Sequence, residues 1–495
     1  MSSSSREAGT APALPVPGVE PDAALPGGSG LPGASAPSVA ELRRRVLRLA
    51  GPICAALVVG ALAQLVVAAL LGHMGDDALY VRSLFIPVTF LVLAVQEGLD
   101  VSTQVGFARL RGARGRDDVP SSATAALLGR FVAAGGAVLG AVALLVVLAA
   151  PALATVLSVP GPLVAEFVAF ARWTVLASVL SVPTAVAAAA LRGWGRTGAS
   201  ATVALLVAGL QVLVVWLVGL VGGFGVLAVP VAIAGSTLVG AGVAWALLVR
   251  ARLLPPPGRR MRGAARPGAA DRRGVDVRAL LLGVGLPVGL SYLLLTVTNL
   301  VMVWVLGPSG TDVVAGFGGA ATVQTLVVVP AIGLAAAVSI VMNQQWGAGA
   351  LGLLPRTFRA GTVVVAGAYV VVGALVLAAA PLLAGQLSAD PEVAAQAALY
   401  LRVVGPSYAG VGLVLYLVTL LEQLGYGRVA VTLNVLYHAV SLGVGGALAR
   451  AGGGPTALYA TIAVANVVGL AVLLPVAVRL VRRRAGGGRA RRVAS

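Results

Sequence analysis

The chain has 495 residues, of which 59% are hydrophobic and 11% are charged, and its mean hydropathy is +0.98. A soluble globular domain has about 45–50% apolar and about 25% charged residues, so this composition excludes a soluble protein and indicates one embedded in a membrane. The formal net charge is +18, but every basic residue is arginine, which together with abundant alanine, valine, glycine and leucine indicates coding bias rather than nucleic-acid binding. We therefore expect no nucleic-acid partner.

The first part of the chain lacks the pattern of a membrane span. Residues 1–41 are rich in serine, alanine, proline and glycine, without the basic start and apolar stretch of a signal peptide, so we predict a disordered tail. The one cysteine, Cys54, lies in an apolar run. Without a second cysteine the chain forms no internal disulfide or cysteine metal cluster, and we expect neither a metal site nor a cofactor.

Apolar segments of about 20 residues or more recur through the rest of the chain, and each is long enough to cross a bilayer. They predict an all-α integral membrane protein with about twelve transmembrane helices. The predicted spans are residues 46–72, 80–110, 122–150, 163–191, 197–220, 225–250, 279–306, 313–345, 358–386, 393–425, 428–450 and 456–481.

The spans form two sets of six. We predict an N-terminal lobe over residues 42–250, a linker over 251–278, a C-terminal lobe over 279–482 and a basic tail over 483–495. Arginine clusters such as "ARLRGARGR" follow every second span, whereas intervening loops such as "GHMGDD" carry acids. Arginine excess marks the cytoplasmic side. We therefore predict a multi-pass protein of the cell membrane with the linker and both termini in the cytoplasm.

The two halves of the sequence resemble each other. Six pairs of residues share a constant separation of 235 positions: Pro52 and Pro287, Gly72 and Gly307, Gly75 and Gly310, Asp77 and Asp312, Gly98 and Gly333, and Gly112 and Gly347. A later block matches Gly195 with Gly427, 232 positions apart. An even number of spans per repeat gives both halves the same orientation, as in transporters built from parallel repeats, so we expect substrate to bind between the lobes.

Several loop motifs are typical of one transporter family. The motifs "GHMGDDAL", "ARLRGARGR" and "ALRGWGRTGAS", with their second-half partners "GPSGTDVV", "NQQWGAGALG" and "EQLGYGRV", resemble those of multidrug and toxic compound extrusion (MATE) transporters over residues 42–482. The resemblance implies two six-helix lobes around a V-shaped cleft. It also implies an antiporter that exports small amphipathic, often cationic, compounds in exchange for protons or sodium ions.

Lipid-linked oligosaccharide flippases share this architecture, so the alternative function is a flippase for a lipid-linked sugar precursor. Such a flippase needs an arginine-lined cavity for the pyrophosphate, and intramembrane arginines are few here, which favours the exporter. The sequence contains no nucleophile–base constellation, metal-ligand spacing or phosphate loop, so we expect no enzyme. The expected partners are a small-molecule substrate and the lipid bilayer, and we expect a monomer.

The first and seventh spans depart from the family pattern. Family members usually carry a carboxylate in one of these helices, but here both spans lack one. They offer instead Gln64 and, 235 positions later, Asn299. These amides would either orient a polar substrate in the cleft or form interhelical hydrogen bonds, and the second interpretation is favoured.

The second span carries the best candidates for ion coupling or substrate binding. At about 100° per residue, Gln96, Glu97, Asp100 and Gln104 lie within one sector about 100° wide. A carboxylate in the hydrocarbon core costs at least about 2.5–3.5 kcal/mol, so each acid is expected to be paired, protonated or facing a watery cavity. Glu97, Asp100 and Gln104 are therefore the predicted site.

Two alternatives remain open for this polar stripe. Arg130 lies at a similar depth on the third span, so an ion pair with Asp100 would make the stripe structural, and Glu97 is then the likelier coupling residue. The equivalent second-half positions are Ile332 and Ala335, which predicts that function resides in the N-terminal lobe.

Two residues of the C-terminal half are weaker candidates. Glu422 lies at the end of the tenth span, where an ion pair with Arg428 or a loop cap is the favoured interpretation. His438 lies inside the eleventh span, where a packing role is favoured over a proton relay.

Overall fold

The computed structural model describes residues 37–114, 121–255, 275–387 and 390–493, and over these residues it is built of helices. Most of the predicted tail and linker lie outside the described residues. The helices of the N-terminal half are α1 (Val39–His73), α2 (Asp76–Leu84), α3 (Ile86–Arg114), α4 (Ser121–Val156), α5 (Gly161–Leu180), α6 (Val182–Gly193), α7 (Thr197–Val214) and α8 (Ala228–Arg250). A π-helical turn, Val215–Val221, continues α7.

The C-terminal half repeats this order. Its helices are α9 (Val277–Leu280), α10 (Leu286–Leu306), α11 (Thr311–Gly347), α12 (Leu354–Leu387), α13 (Pro391–Val404), α14 (Tyr408–Gln423), α15 (Gly427–Leu448) and α16 (Gly454–Val493). A π-helical turn, Leu281–Gly285, joins α9 to α10. Eleven continuous helical stretches are long and apolar enough to cross a membrane, and the last of them holds both α15 and α16. The prediction of an all-α protein with about twelve spans is confirmed.

Breaks inside the predicted spans coincide with proline. The fourth predicted span is divided into α5 and α6 at Ser181, two residues before Pro183, and the tenth is divided into α13 and α14 by a short turn that contains Pro406. Proline lacks the N–H that a helix interior needs, which explains both breaks. The first helix begins at Val39, inside the predicted tail, because Ser38 caps it through a reciprocal pair of bonds with Glu41.

The structure corrects the register of the second repeated block. Gly195 and Gly425 both have positive φ, +76° and +80°, and each lies just after a helix end, of α6 and α14 respectively. A residue in this conformation is the usual end of a helix, and glycine adopts it without steric cost. Gly195 therefore corresponds to Gly425, at a separation of 230 residues. The predicted match with Gly427, at 232, is wrong because it aligned two G-aromatic-G motifs that sit at different points of the turn.

Each half of the chain forms one apolar core, and each core contains a segment from the other half. Val46, Leu49 and Ile53, at the start of α1, belong to the core of the C-terminal helices. The start of the second half, including Leu280 and Val284, belongs to the core of the N-terminal helices. The first helical span of each lobe is thus anchored at one end in the opposite lobe.

The lobes meet most closely where α3 and α11 cross, at the arginine-rich end of the molecule. A Cβ on Gly112 would collide with the carbonyl oxygen of Gln344, and a Cβ on Gly347 would collide with that of Arg109. The two contacts are equivalent, since each pair is separated by 235 residues. We call this crossing the closed end. The repeated glycines found in the sequence are therefore the residues that let the two backbones touch.

Side chains reinforce the closed end. Arg109 of α3 donates through Nε to Asn343 Oδ1 of α11 at 2.9 Å, and its guanidinium lies 4.0 Å from the ring centre of Trp346. Arg484 of α16 covers the same ring at 3.9 Å. Cation–π contacts of this kind hold the faces of aromatic rings against arginine. The indole of Trp346 is therefore flanked by arginines from both halves of the chain.

Gly347→Leu is expected to open the closed end. Overpacking of this kind costs about 1–3 kcal/mol, which corresponds to a shift of about 5- to 150-fold toward separated lobes. The native Cys54 reports the change, because its half-buried thiol lies against Gly333 of α11 and donates to the Pro330 carbonyl at 3.5 Å. The rate of maleimide labelling of Cys54 should rise by that factor.

The matched control is Gly129→Leu, because a Cβ at Gly129 on α4 meets nothing within 4 Å. This variant should label at the wild-type rate. Equal labelling of Gly347→Leu and wild type, in protein that is folded by size-exclusion chromatography, would contradict the role given to Gly347.

Candidate functional site

The polar stripe of α3 lies at the junction of the two lobes. Gln96 donates to Ser181 Oγ at 2.9 Å, at the break between α5 and α6. One step further along, the half-buried Glu97 carboxylate accepts a hydrogen bond from the Tyr292 hydroxyl of α10. The stripe therefore contacts both lobes, since α10 belongs to the C-terminal half.

Asp100 pairs with Arg192 at the end of α6. The predicted pair with Arg130 is wrong, because Arg130 lies exposed on α4 and faces away from the stripe. Spans that follow each other in sequence need not present the matching faces, and α3 packs along α6 as well as α4. The side chains of Arg192 and Asp100 are 16% and 25% exposed, so the ion pair is partly screened by solvent.

Gln104 extends this contact into the other lobe. Its side chain is buried, accepts from Arg192 Nε at 3.0 Å and donates to Gln423 Oε1 of α14 at 3.3 Å. Arg192 also donates to Ser200 Oγ at 3.1 Å. Asp100 and Gln104 thus belong to one hydrogen-bonded chain that links α3, α6 and α14, and Glu97 is the acid of the stripe that lies outside it.

Glu422 lies at the end of α14 and is 2% exposed. Its carboxylate accepts a hydrogen bond from Ser291 Oγ at 2.6 Å, and Asn434 in turn donates to that serine at 3.3 Å. The favoured interpretation, a pair with Arg428, is wrong: that arginine is exposed, and the carboxylate points inward to α10.

A cavity of about 160 Å³ lies among the C-terminal helices, with Glu422 and Asn299 in its wall. His438 also lines it and meets Tyr437 edge-on, with ring centres 4.8 Å apart. The other polar residues of the wall are Ser291, Tyr292, Thr298, Gln324, Tyr400, Thr419, Asn434, Ser441 and Asn466. The sequence prediction placed function in the N-terminal lobe and missed this cavity. Its polar residues occur singly on six helices, and only Asn434 and His438, one helical turn apart, gave a local signal.

Gln64 does not share this cavity. Its amide nitrogen donates to Gln211 Oε1 of α7 at 3.4 Å, within the N-terminal lobe, as the interhelical interpretation predicted. Asn299, its repeat partner, is exposed to the cavity instead. The two amides therefore have different surroundings in the two lobes.

Two carboxylates approach neighbouring residues of a single helix. Glu97 of the N-terminal lobe meets Tyr292, and Glu422 of the C-terminal lobe meets Ser291. Carboxylates at membrane depth bind protons or cations far more readily than in water, because the bare charge is costly there. In the part of the chain that the structure describes, no group of three or more histidine, cysteine or acidic side chains is placed to hold a metal ion.

Comparisons with known proteins give the same fold. The family model described as MatE matches residues 52–217 and 287–445, which together are more than half of the chain. No curated protein matches the sequence.

Three solved structures illustrate the structural similarity. The Vibrio cholerae MATE transporter VcmN in its bent form has a TM-score of 0.78 at 18% identity, over 91% of this chain and 99% of that one. A MOP superfamily transporter from Pyrococcus furiosus, described by the reversed polarity of its binding pocket, has a TM-score of 0.77 at 20% identity over 90% and 97%. An outward-facing multidrug resistance MATE transporter has a TM-score of 0.77 at 20% identity over 91% and 97%.

Asp100 and Arg192 are expected to be energetically coupled. In a double-mutant cycle of thermal unfolding with Asp100→Asn and Arg192→Gln, we expect a coupling free energy of about 0.5–3 kcal/mol, as for residues within one network. The corresponding cycle with Arg130→Gln should give no coupling to Asp100. Coupling of Asp100 to Arg130 but not to Arg192 would contradict the pairing described above.

Proposed function

The chain belongs to the MATE family of membrane transporters, and from that premise we propose that it is an antiporter that exports small amphipathic or cationic compounds in exchange for protons or sodium ions. The observation that carries the proposal is the position of Glu97 and Glu422 on either side of α10. Each acid contacts one of two successive residues, Tyr292 and Ser291, and each comes from a different lobe.

The helix α10 is suited to respond to the charge of these acids. Its amino-terminal approach, through Leu280 and Val284, is packed in the N-terminal core, whereas its later part, through Met302 and Val305, is packed in the C-terminal core. A cation that neutralises Glu97 or Glu422 changes the bonds to Tyr292 or Ser291. A ligand shifts a conformational equilibrium when its affinity differs between the two states, and these bonds supply the difference.

Exchange follows if the entering ion and the leaving substrate compete for the same acids. A proton or sodium ion that moves inward down a membrane potential releases about 2.3 kcal/mol per 100 mV. The cation binds, neutralises an acid and releases the substrate cation outward, and its departure to the cytoplasm prepares the acid for the next substrate. With the predicted orientation, the arginine-rich closed end faces the cytoplasm, so this structure corresponds to the state that releases substrate.

The cavity chemistry supports a cationic or amphipathic substrate. Its wall combines Glu422 with aromatic rings such as Tyr400 and Phe317 and with amides such as Asn299. Aromatic faces and a carboxylate favour an organic cation. A pyrophosphate-bearing lipid would need arginines in this place, and the described wall contains an acid instead, so the flippase remains the less supported alternative.

Glu97→Gln is expected to abolish efflux of a fluorescent cationic dye from cells or proteoliposomes, and Glu422→Gln to reduce it strongly, because each removes a titratable charge beside α10. Asp100→Asn should retain more efflux than Glu97→Gln, because Asp100 is paired with Arg192. The matched control is Glu392→Gln, an exposed acid in the first turn of α13.

The coupling ion is identified in proteoliposomes with either a pH gradient or a sodium gradient imposed. Efflux driven by one gradient should disappear in Glu97→Gln while dye binding to the detergent-solubilised protein persists. Wild-type rates in both Glu97→Gln and Glu422→Gln would overturn the assignment of these acids.

A further inference from the structure

A groove on the outside of the protein lies between α4 and the first residues of the C-terminal half. Its volume is about 790 Å³, and we call it the α4–α9 groove. It is lined on α4 by Arg130, Ala133, Ala134 and Val138, and on the other side by Val275, Asp276, Val277, Arg278, Leu281 and Leu282. One side therefore belongs to the N-terminal half of the chain and the other to the C-terminal half.

The groove places two arginines where a membrane surface would meet the protein. Arg130 lies nine residues after the start of α4, about 13 Å along the helix, and its side chain is exposed. Arg278, in the one-turn helix α9, is exposed as well. Within the described residues neither side chain has a hydrogen bond or ion pair. An arginine on the lipid-facing side of a membrane helix is costly unless its head finds an anion or water.

The remaining lining separates into a polar and an apolar part. Asp276 accepts a hydrogen bond from the Ala279 backbone N–H at 3.2 Å, as the cap of α9, so two arginines face one acid that is already engaged. Further into the groove, Val138 and Leu282 are 49% and 57% exposed. A ligand that fits needs a negative head at the arginines and an apolar chain along these two side chains.

We propose that the α4–α9 groove binds an anionic phospholipid, with its phosphate held by Arg130 and Arg278 and an acyl chain lying along Val138 and Leu282. Arginine presents several N–H donors in a planar fork that suits phosphate oxygens. Basic pockets between transmembrane helices on the arginine-rich side are typical places for anionic head groups. The bound lipid holds α9 against α4, beside the junction where the lobes close.

The proposal is tested on the full-length protein in detergent micelles that contain either phosphatidylglycerol or phosphatidylcholine, with bound lipid counted by native mass spectrometry. Wild type should retain phosphatidylglycerol in preference to phosphatidylcholine. Replacing one arginine should weaken the retention about fivefold, and Arg130→Ala with Arg278→Ala about thirtyfold, from the usual contribution of an arginine near an anionic surface. Both side chains are exposed, so the variants should fold.

The control is Arg250→Ala, because Arg250 is exposed in the last turn of α8, at the same end of the protein, outside the groove. Leu282→Trp should weaken lipid retention while leaving both arginines in place. Inorganic phosphate separates the two sources of the anion: competition by phosphate alone, with no loss in Leu282→Trp, would show a free-phosphate site and overturn the lipid proposal. Equal retention of the two lipids by wild type, or equal losses in Arg250→Ala and the double variant, would also overturn it.

Discussion

The architecture depends on the contact of two helix backbones at the closed end. Gly112 and Gly347 lie where α3 and α11 cross, and in both places the space for a Cβ is taken by a carbonyl oxygen of the opposite helix. Without a hydrophobic drive between helices in lipid, such close van der Waals packing is a main source of association. The arginine contacts around Trp346 and the amide bonds of Gln104 and Asn343 form only because the backbones already touch.

The same crossing explains how an almost symmetric scaffold becomes functionally asymmetric. In the corrected register Arg192 at the end of α6 corresponds to Glu422 at the end of α14, 230 residues later. One lobe therefore offers a guanidinium to Asp100 of α3, and the other offers a carboxylate to Ser291 of α10. A difference of two charges at equivalent positions gives the N-terminal lobe a satisfied ion pair and the C-terminal lobe an acid in a cavity.

Composition and repetition predict the fold, because bilayer thickness fixes the helix length and the repeat fixes the order of the helices. The glycine pairs Gly98 with Gly333 and Gly112 with Gly347 were detectable for the same reason. The partner of Asp100 was not, because it depends on how helices rotate about their axes, which a sequence does not specify for helices that are apolar on most faces. Arg130 has the right depth and the wrong face. The cavity of the C-terminal lobe is assembled from single polar residues on separate helices, and no local pattern announces such a set.

The exchange of helix ends between the cores has a consequence for how such a protein arose. Val46 and Leu49 fill a pocket in the C-terminal core, and Val284 and Leu280 fill its counterpart in the N-terminal core. A single six-helix unit would carry one such arm and one empty pocket, and so would be complete only when two units traded arms. The duplicated chain is then a covalently joined pair of swapped partners, and neither half is a self-sufficient folding unit.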